Sequence, residues 1–345
     1  MPSLKTLTSE LSVGFGIVGV SDPTESSLNI ETLFDETLDE VAYQRFVTEY
    51  SSNTRLYSRL VQCGLNLRQT AFPKATQVRW TGSEQQPASV TVAKDLYVPV
   101  YNTYISIKVN SHVAANPSPF NLFRNLPQGL AFTSVSPDWY LETNPDGLQE
   151  VYAAAARNYP EELPGTIQEF YETVKRDDRR PFQKYINEEM TPEDEAVFNK
   201  IYRRFNYRVA EVSANEFNHH ISQLPTNRRN AVYEGIIQRF FRINSTPYYL
   251  TGIDRGRLFG VKIPDIARWK RDWRLVRINA SPNKNSKQSE VNFVVEVQNR
   301  STRVSTPLPF HAEVRFSHGK FCGNPESKLY KEFRWSEVPF FETCF

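Results

Sequence analysis

Cysteine is scarce: the 345 residues hold three, Cys63, Cys322 and Cys344. Three scattered thiols make neither a disulfide framework nor a cysteine-based zinc site, so they are expected as small core or surface residues of a reducing compartment. No apolar run reaches the roughly eighteen residues of a membrane span, and no membrane association is expected. The start, Met1-Pro-Ser-Leu-Lys5, lacks the charged-then-apolar pattern of a secretory signal, which points to a cytoplasmic location. Several catalytic signatures are missing as well. There is no Gly-x-x-x-x-Gly-Lys-Ser/Thr loop, no Gly-x-Ser-x-Gly elbow and no His-Glu-x-x-His helix. The formal net charge of +2 excludes a global polycation.

Aromatic residues are plentiful, with 23 Phe, 17 Tyr and 5 Trp, which argues for a packed core over a disordered chain. The length suffices for one elaborate domain or two. Charge is unevenly distributed. Residues 1–100 carry eight Lys or Arg against eleven Asp or Glu, whereas residues 200–285 carry seventeen against six. That local excess suits a polyanionic partner, DNA first with RNA left open. Pairing with the acidic N-terminal part is the alternative.

Taken in order, Leu11–Val20 reads as a glycine-softened strand, and its glycines precede no helix that would make a nucleotide loop. Thr37-Leu-Asp-Glu40 has the form of a capping box, placing a helix start at Thr37. Ser51–Thr54 interrupts that helix and a second pattern runs over 55–65. The middle third is helical, with segments over 148–159, 166–175 and 181–189. A long helix is capped by Thr191 ahead of Pro192, and an amphipathic one spans 226–242. From Thr246 the pattern changes to strands, over 248–253, 258–263, 273–278, 291–298 and 310–316, with a polar loop over 279–289. The fold class is therefore α/β: a mixed-sheet core over 1–145, a helical region over 146–245 and a β-rich region over 246–345, or one continuous domain.

The most informative stretch is 89–111. Two β-branched and aromatic runs join at Tyr101-Asn102, which predicts a hairpin. Side chains alternate across a strand, so Ser106 and Lys108 share one face while Ile105 and Ile107 point to the core. Antiparallel pairing brings Asp95 near the Lys108 end. A carboxylate that binds a hard cation, beside a lysine that steadies water or phosphate oxygens, suits phosphodiester hydrolysis. Ala93-Lys94-Asp95 followed by Ile105-Ser106-Ile107-Lys108 resembles the PD-(D/E)xK restriction-endonuclease-like family, whose core sets an Asp on one strand and a (D/E)-x-K triplet on the next. Lys94 replaces the family's Pro, and Ser106 replaces a metal-binding carboxylate.

The resemblance implies a Mg²⁺-dependent restriction-type DNA endonuclease. Asp95 and the Ile107 carbonyl would be metal ligands, Ser106 and Lys108 would stand in the catalytic triplet, and Glu49 (or Glu40) on a preceding helix would replace the lost carboxylate. Asn110 and Ser111, the helical stripe Lys200, Arg203, Arg204 and Arg208, and Arg300 and Arg315 are the expected nucleic-acid contacts. Glu296-x-Gln298 forms a rival strand triplet, with Asp265 or Asp272 as partner. Ser106 also fits a different class, a non-catalytic nucleic-acid-binding subunit of a defence or CRISPR-type complex. A homodimer is a further expected assembly.

Overall fold

The computed structural model describes residues 3–82 and 94–345. The chain opens on helix α1 (Leu4–Ile17) and a single turn, α2 (Ile30–Leu33), followed by α3 (Glu40–Ser52) and α4 (Thr54–Thr70). The strand expected over Leu11–Val20 is thus corrected to a helix, and its glycines explain why. A β-carbon on Gly64 of α4 would stand 2.8 Å from the Cα of Gly16 on α1, and closer still to the Val13 carbonyl oxygen. These glycines let two helix backbones touch, an advantage that offsets the roughly 1 kcal/mol a glycine costs a helix. Helix α3 starts at Glu40 instead of Thr37. Asp39 is the N-cap, accepting the Ala42 amide at 2.7 Å, while the Thr37 hydroxyl donates to the Phe34 carbonyl and accepts the Trp80 amide. Asn53 ends α3 and caps α4, in line with the expected interruption.

Strands β1 (Arg79–Trp80), β2 (Leu96–Val98) and β3 (Thr103–Val109) form an antiparallel meander. Of the expected hairpin, Ser89–Ala93 lie outside the described residues, as does Ser83. The two runs are joined by a 3₁₀ turn over Pro99–Tyr101 with Asn102 left-handed at φ 46°. The following proline-containing stretch holds β4 (Val113–Ala115) and a π-helical turn over Asn121–Asn125.

The middle is helical as expected: α5 (Leu126–Gln128), α6 (Trp139–Thr143), α7 (Pro145–Ala156), α8 (Ile167–Thr173), α9 (Arg180–Lys184), α10 (Pro192–Ser222) and α11 (Thr226–Phe241). Thr191 caps α10 by accepting the Asp194 amide. Phe198, Tyr202, Phe205, Val209, Phe217 and their small neighbours recur every three or four residues along it, and this stripe is buried. Buried on the same helix, Ser213 accepts the Trp139 indole N–H at 2.9 Å.

The chain then returns to the first sheet. β5 (Tyr248–Asp254) runs parallel to β3, β6 (Arg257–Ile263) pairs antiparallel with β5, and β11 (Glu342–Thr343) completes the order β1-β2-β3-β5-β6-β11. A parallel neighbour needs a crossover, and the whole helical middle supplies it. After α12 (Ile266–Asp272), strands β7 (Trp273–Pro282), β8 (Ser289–Asn299), β9 (Ser305–Phe316) and β10 (Pro325–Lys331) form an antiparallel sheet with β4 on its edge, in the order β4-β10-β9-β8-β7. The loop expected over Asn279–Ser289 shrinks, because β7 and β8 pair from Pro282 and Val291 outward. Both sheets draw strands from early and late sequence: β5 and β6 complete the sheet of β1–β3, and β4 joins the C-terminal strands.

Two apolar cores result. The smaller joins α1, α3 and α4 to Leu96, Val98, Ile105 and Ile107. The larger packs the middle helices against β5, β6 and the inner face of the second sheet. The sheets are tied at one corner. Lys331 at the end of β10 is fully buried and donates to Asp254 of β5 at 2.7 Å and to the Phe333 carbonyl at 2.7 Å. Its amide donates to the His112 carbonyl at 2.9 Å. Among the described residues no helix is long and apolar enough to cross a membrane.

The helix crossing gives a contrast of sign. Gly64→Ala should lower unfolding free energy by about 1–3 kcal/mol, because the atoms a methyl group would meet are backbone that cannot give way. Gly235→Ala, within α11 and facing open space, should raise it by about 0.5–1 kcal/mol. Urea denaturation of the two variants against the parent measures both, and equal effects would contradict the crossing.

Candidate active site

Alternation along β3 fixes the starting geometry. Ile105 and Ile107 enter the smaller core, so Ser106 and Lys108 project from the opposite face. Asp95 directly precedes β2, and its amide donates to the Ile105 carbonyl at 3.0 Å. Its carboxylate then does what a strand carbonyl ordinarily does: Oδ2 accepts the Ile107 amide at 2.6 Å, and it also accepts the Ser106 hydroxyl at 3.2 Å. Asp95 is 8% exposed and Ser106 fully buried. The other oxygen, Oδ1, accepts no hydrogen bond from the described residues. Asp95 and Ser106 are thus brought together, and the group of Ile107 that meets the carboxylate is its amide, not the carbonyl expected as a metal ligand.

The third group is one that sequence reasoning missed. Glu10, the one charged residue of α1 between Leu7 and Ile17, is 5% exposed and accepts the Trp80 indole N–H at 2.7 Å. Burial, reinforced by the negative charge of Asp95, pushes its carboxyl up to about 8, against the opposing pull of Trp80 and Lys108. Lys108 moves the other way. Burial, then the positive charge of Arg242, brings its ammonium down to about 8, while Asp95 and Glu10 resist. Glu10, Asp95 and Lys108 therefore feel one another's charge from three different elements. A lone acid among polar and apolar neighbours gives no signal by itself, and the reading of 11–20 as a strand left Glu10 outside any element.

Lys108 also opens onto a cavity of about 460 Å³ beside β4, α11 and β10, where Arg239, Arg242 and Lys328 join it. Ser111 lines the same space. Asn110 stands at the end of β3 with φ 50°, accepting the Gly256 amide at 3.2 Å.

Other expected residues lie elsewhere. Glu49 accepts the Tyr57 hydroxyl at 2.8 Å across the α3–α4 corner and is not among the charges that act on Glu10 or Lys108. Glu40 is exposed and held by Gln44. On α10, Lys200, Arg203, Arg204 and Arg208 are exposed; Arg204 pairs with Glu150 at 2.5 Å and Arg208 with Glu211 at 2.5 Å. Arg300 donates to the Lys270 and Trp273 carbonyls, locking the start of β7, and Arg315 pairs with Glu326 at 3.1 Å. In the rival triplet, Glu296 pairs with Arg277 at 3.4 Å and Gln298 accepts from Arg274. Asp265 caps α12 and Asp272 pairs with Arg271, so neither serves that strand.

The donor set fits a hard divalent cation. Magnesium is commonly held by one or two carboxylates, with waters and substrate phosphate filling the remaining positions. Asp95 Oδ1 accepts no hydrogen bond from the described residues, and the Glu10 carboxyl, held neutral by burial, would release its proton to a compensating charge. A second cluster lies on the outer face of the other sheet, where Glu290, His311 and Glu313 bring ligand atoms within 4.8 Å of one another. Its histidine is bound to Glu332 and stacked on Tyr330, and nitrogen in the set suits a softer ion than magnesium.

The shifted groups dictate how stability responds to pH. Between the ordinary glutamate value of 4.5 and about 8, the folded state holds a proton on Glu10 that the unfolded chain has lost, so stability falls as pH rises through that window. For Lys108 the folded state has lost a proton between about 8 and 10.5 that the unfolded chain keeps, so stability rises there. Glu10→Gln, which keeps an acceptor for Trp80, should therefore match the parent near pH 4 and exceed it in stability near pH 8. Urea denaturation across that range reads the gap, and a gap constant with pH would remove Glu10 from the account. Comparison of the chain with protein-family models, with curated proteins and with solved structures finds no match.

Proposed function

We propose that this chain is a divalent-metal-dependent DNA endonuclease of the restriction type, with Glu10, Asp95 and Lys108 as its working groups. One observation carries the reading: two buried carboxylates and a lysine, drawn from α1, the start of β2 and β3, act on one another, and the lysine also lines a cleft shared with three further cations. Glu10 and Asp95 would hold Mg²⁺, which when bound supplies Lewis-acid stabilisation of charge developing on the phosphate. Glu10 takes the part of the carboxylate absent at Ser106.

The chain's own groups set the geometry. The Ile107 amide and the Ser106 hydroxyl fix Asp95, and the Trp80 indole fixes Glu10, so neither carboxylate has to reorganise when charge develops. With a value of about 8, Lys108 Nζ is populated in both forms near neutrality, the condition for holding or releasing a proton beside an attacking water. As an ammonium it stabilises a non-bridging phosphate oxygen. A second reading, a non-catalytic nucleic-acid-binding subunit of a larger assembly, draws on Ser106, whose hydroxyl cannot replace a carboxylate as a ligand.

Incubation with Mg²⁺ of closed circular DNA, offered both as single strand and as supercoiled duplex, tests the proposal. The parent should cut at least one form, and Asp95→Ala or Lys108→Ala should slow cutting by about 10²–10⁴-fold. Cutting that survives both changes would overturn the assignment. Salt-sensitive DNA retention without cutting would favour the second reading.

A further inference from the structure

We infer that the cleft beside Lys108 receives one unpaired nucleotide, so that the substrate is single-stranded or locally unpaired DNA in preference to intact duplex. The inference deepens the nuclease reading but rests on separate observations about the cleft. Its volume, about 460 Å³, falls in the range that encloses one small ligand, roughly 300–1,000 Å³. A base-paired segment presents its phosphates on the outside of a rigid rod, whereas a nucleotide taken out of the stack can enter a pocket.

The lining matches such a guest. Lys108, Arg239, Arg242 and Lys328 come from β3, from α11, from the residue that ends α11, and from β10, so they surround the space instead of lying along one face. No carboxylate belongs to the described lining. Arg242 Nε is buried and has no hydrogen-bond partner among the described residues. Its backbone is fixed in the left-handed region at φ 59°, and the Tyr248 hydroxyl donates to its carbonyl at 3.0 Å. A buried cationic donor without a partner is costly, and an anionic oxygen removes that cost. The nearest carboxylate to Lys328 is that of Glu326, at 3.9 Å.

Apolar wall completes the fit. The half-buried Phe132 lines the cleft, and the Arg239 guanidinium lies 4.2 Å from its ring centroid, presenting a flat cationic surface. Bases stack on such aromatic and guanidinium planes whatever their sequence, contributing about 1–3 kcal/mol each. Cations for the phosphate and a plane for the base are the two components of single-strand recognition.

Fluorescence anisotropy with a short dye-labelled single strand and the same strand annealed to its complement, both in EDTA, decides the matter. The single strand should bind the full chain at least about ten-fold more tightly, as stacking of one or two bases implies. Lys328→Gln, at a half-exposed position that folding tolerates, should lower the salt slope of single-strand binding by about one. Arg239→Gln should weaken it further. Duplex binding as tight as single-strand binding overturns the inference, as does single-strand binding unchanged in both variants. Cutting plays no part in this readout: a chain that prefers the single strand but never cuts keeps the cleft assignment and loses the nuclease reading, and one that cuts without the preference does the reverse.

Discussion

A single buried ammonium joins the two halves of this molecule. Lys331 reaches from the end of β10 to Asp254 at the end of β5, and the Trp335 amide donates to the same carboxylate oxygen at 3.1 Å. Leaving either charge alone in the interior would cost about 3–5 kcal/mol, so the joint is an all-or-none contact. From this corner the sheets diverge. β3 passes through Asn110–His112 directly into β4, and β10 lies alongside β4. The wedge between the sheets is where Lys108 meets Lys328 and the end of α11. The cleft is a consequence of how the sheets are tied, which is why residues distant in sequence line it.

Around Asp95 the governing physics is burial of charge. Two carboxylates and an ammonium share a poorly solvated site, and each shifted group moves towards its neutral form: the Glu10 acid up, the Lys108 base down. Asp95 is held differently, because its carboxylate is built into the strand pairing through the Ile107 amide. A carboxylate in that role is oriented by the backbone itself, and its other oxygen accepts nothing from the described residues. The arrangement combines a fixed ligand with a neighbour whose charge depends on what binds.

Much of the scaffold was legible from periodicity and caps. The β2–β3 pairing, the Thr191 cap of α10, the amphipathic α11 and the late strands all follow local rules that tertiary contacts reinforce. Three features escaped. Leu11–Ile17 belong to a helix whose glycines serve the contact of Gly16 with Gly64, a contact between positions far apart in sequence. β10 went unread, since its buried Ser327 and Lys331 break the apolar alternation, and both are explained only by partners elsewhere, the Pro117 carbonyl and Asp254. Glu10 was invisible for the same reason: a solitary acid is ordinary until the fold delivers Asp95 and Trp80 beside it. Asp95, Ser106 and Lys108 could be read because one hairpin carries all three. The basic residues of α10 looked equivalent along the helix, and their neighbours Glu150 and Glu211 set two of them apart.

The end of α11 shows a conflict between conformational ease and chemistry. A helix that stops in the left-handed region favours glycine, and a side chain there costs about 1–2 kcal/mol. Here the residue is Arg242. Replacing it with glycine would relax the main chain and remove a guanidinium from the cleft in the same step. Any effort to make this protein more heat-resistant by relieving unfavourable torsions would therefore reach first for a residue that the pocket uses.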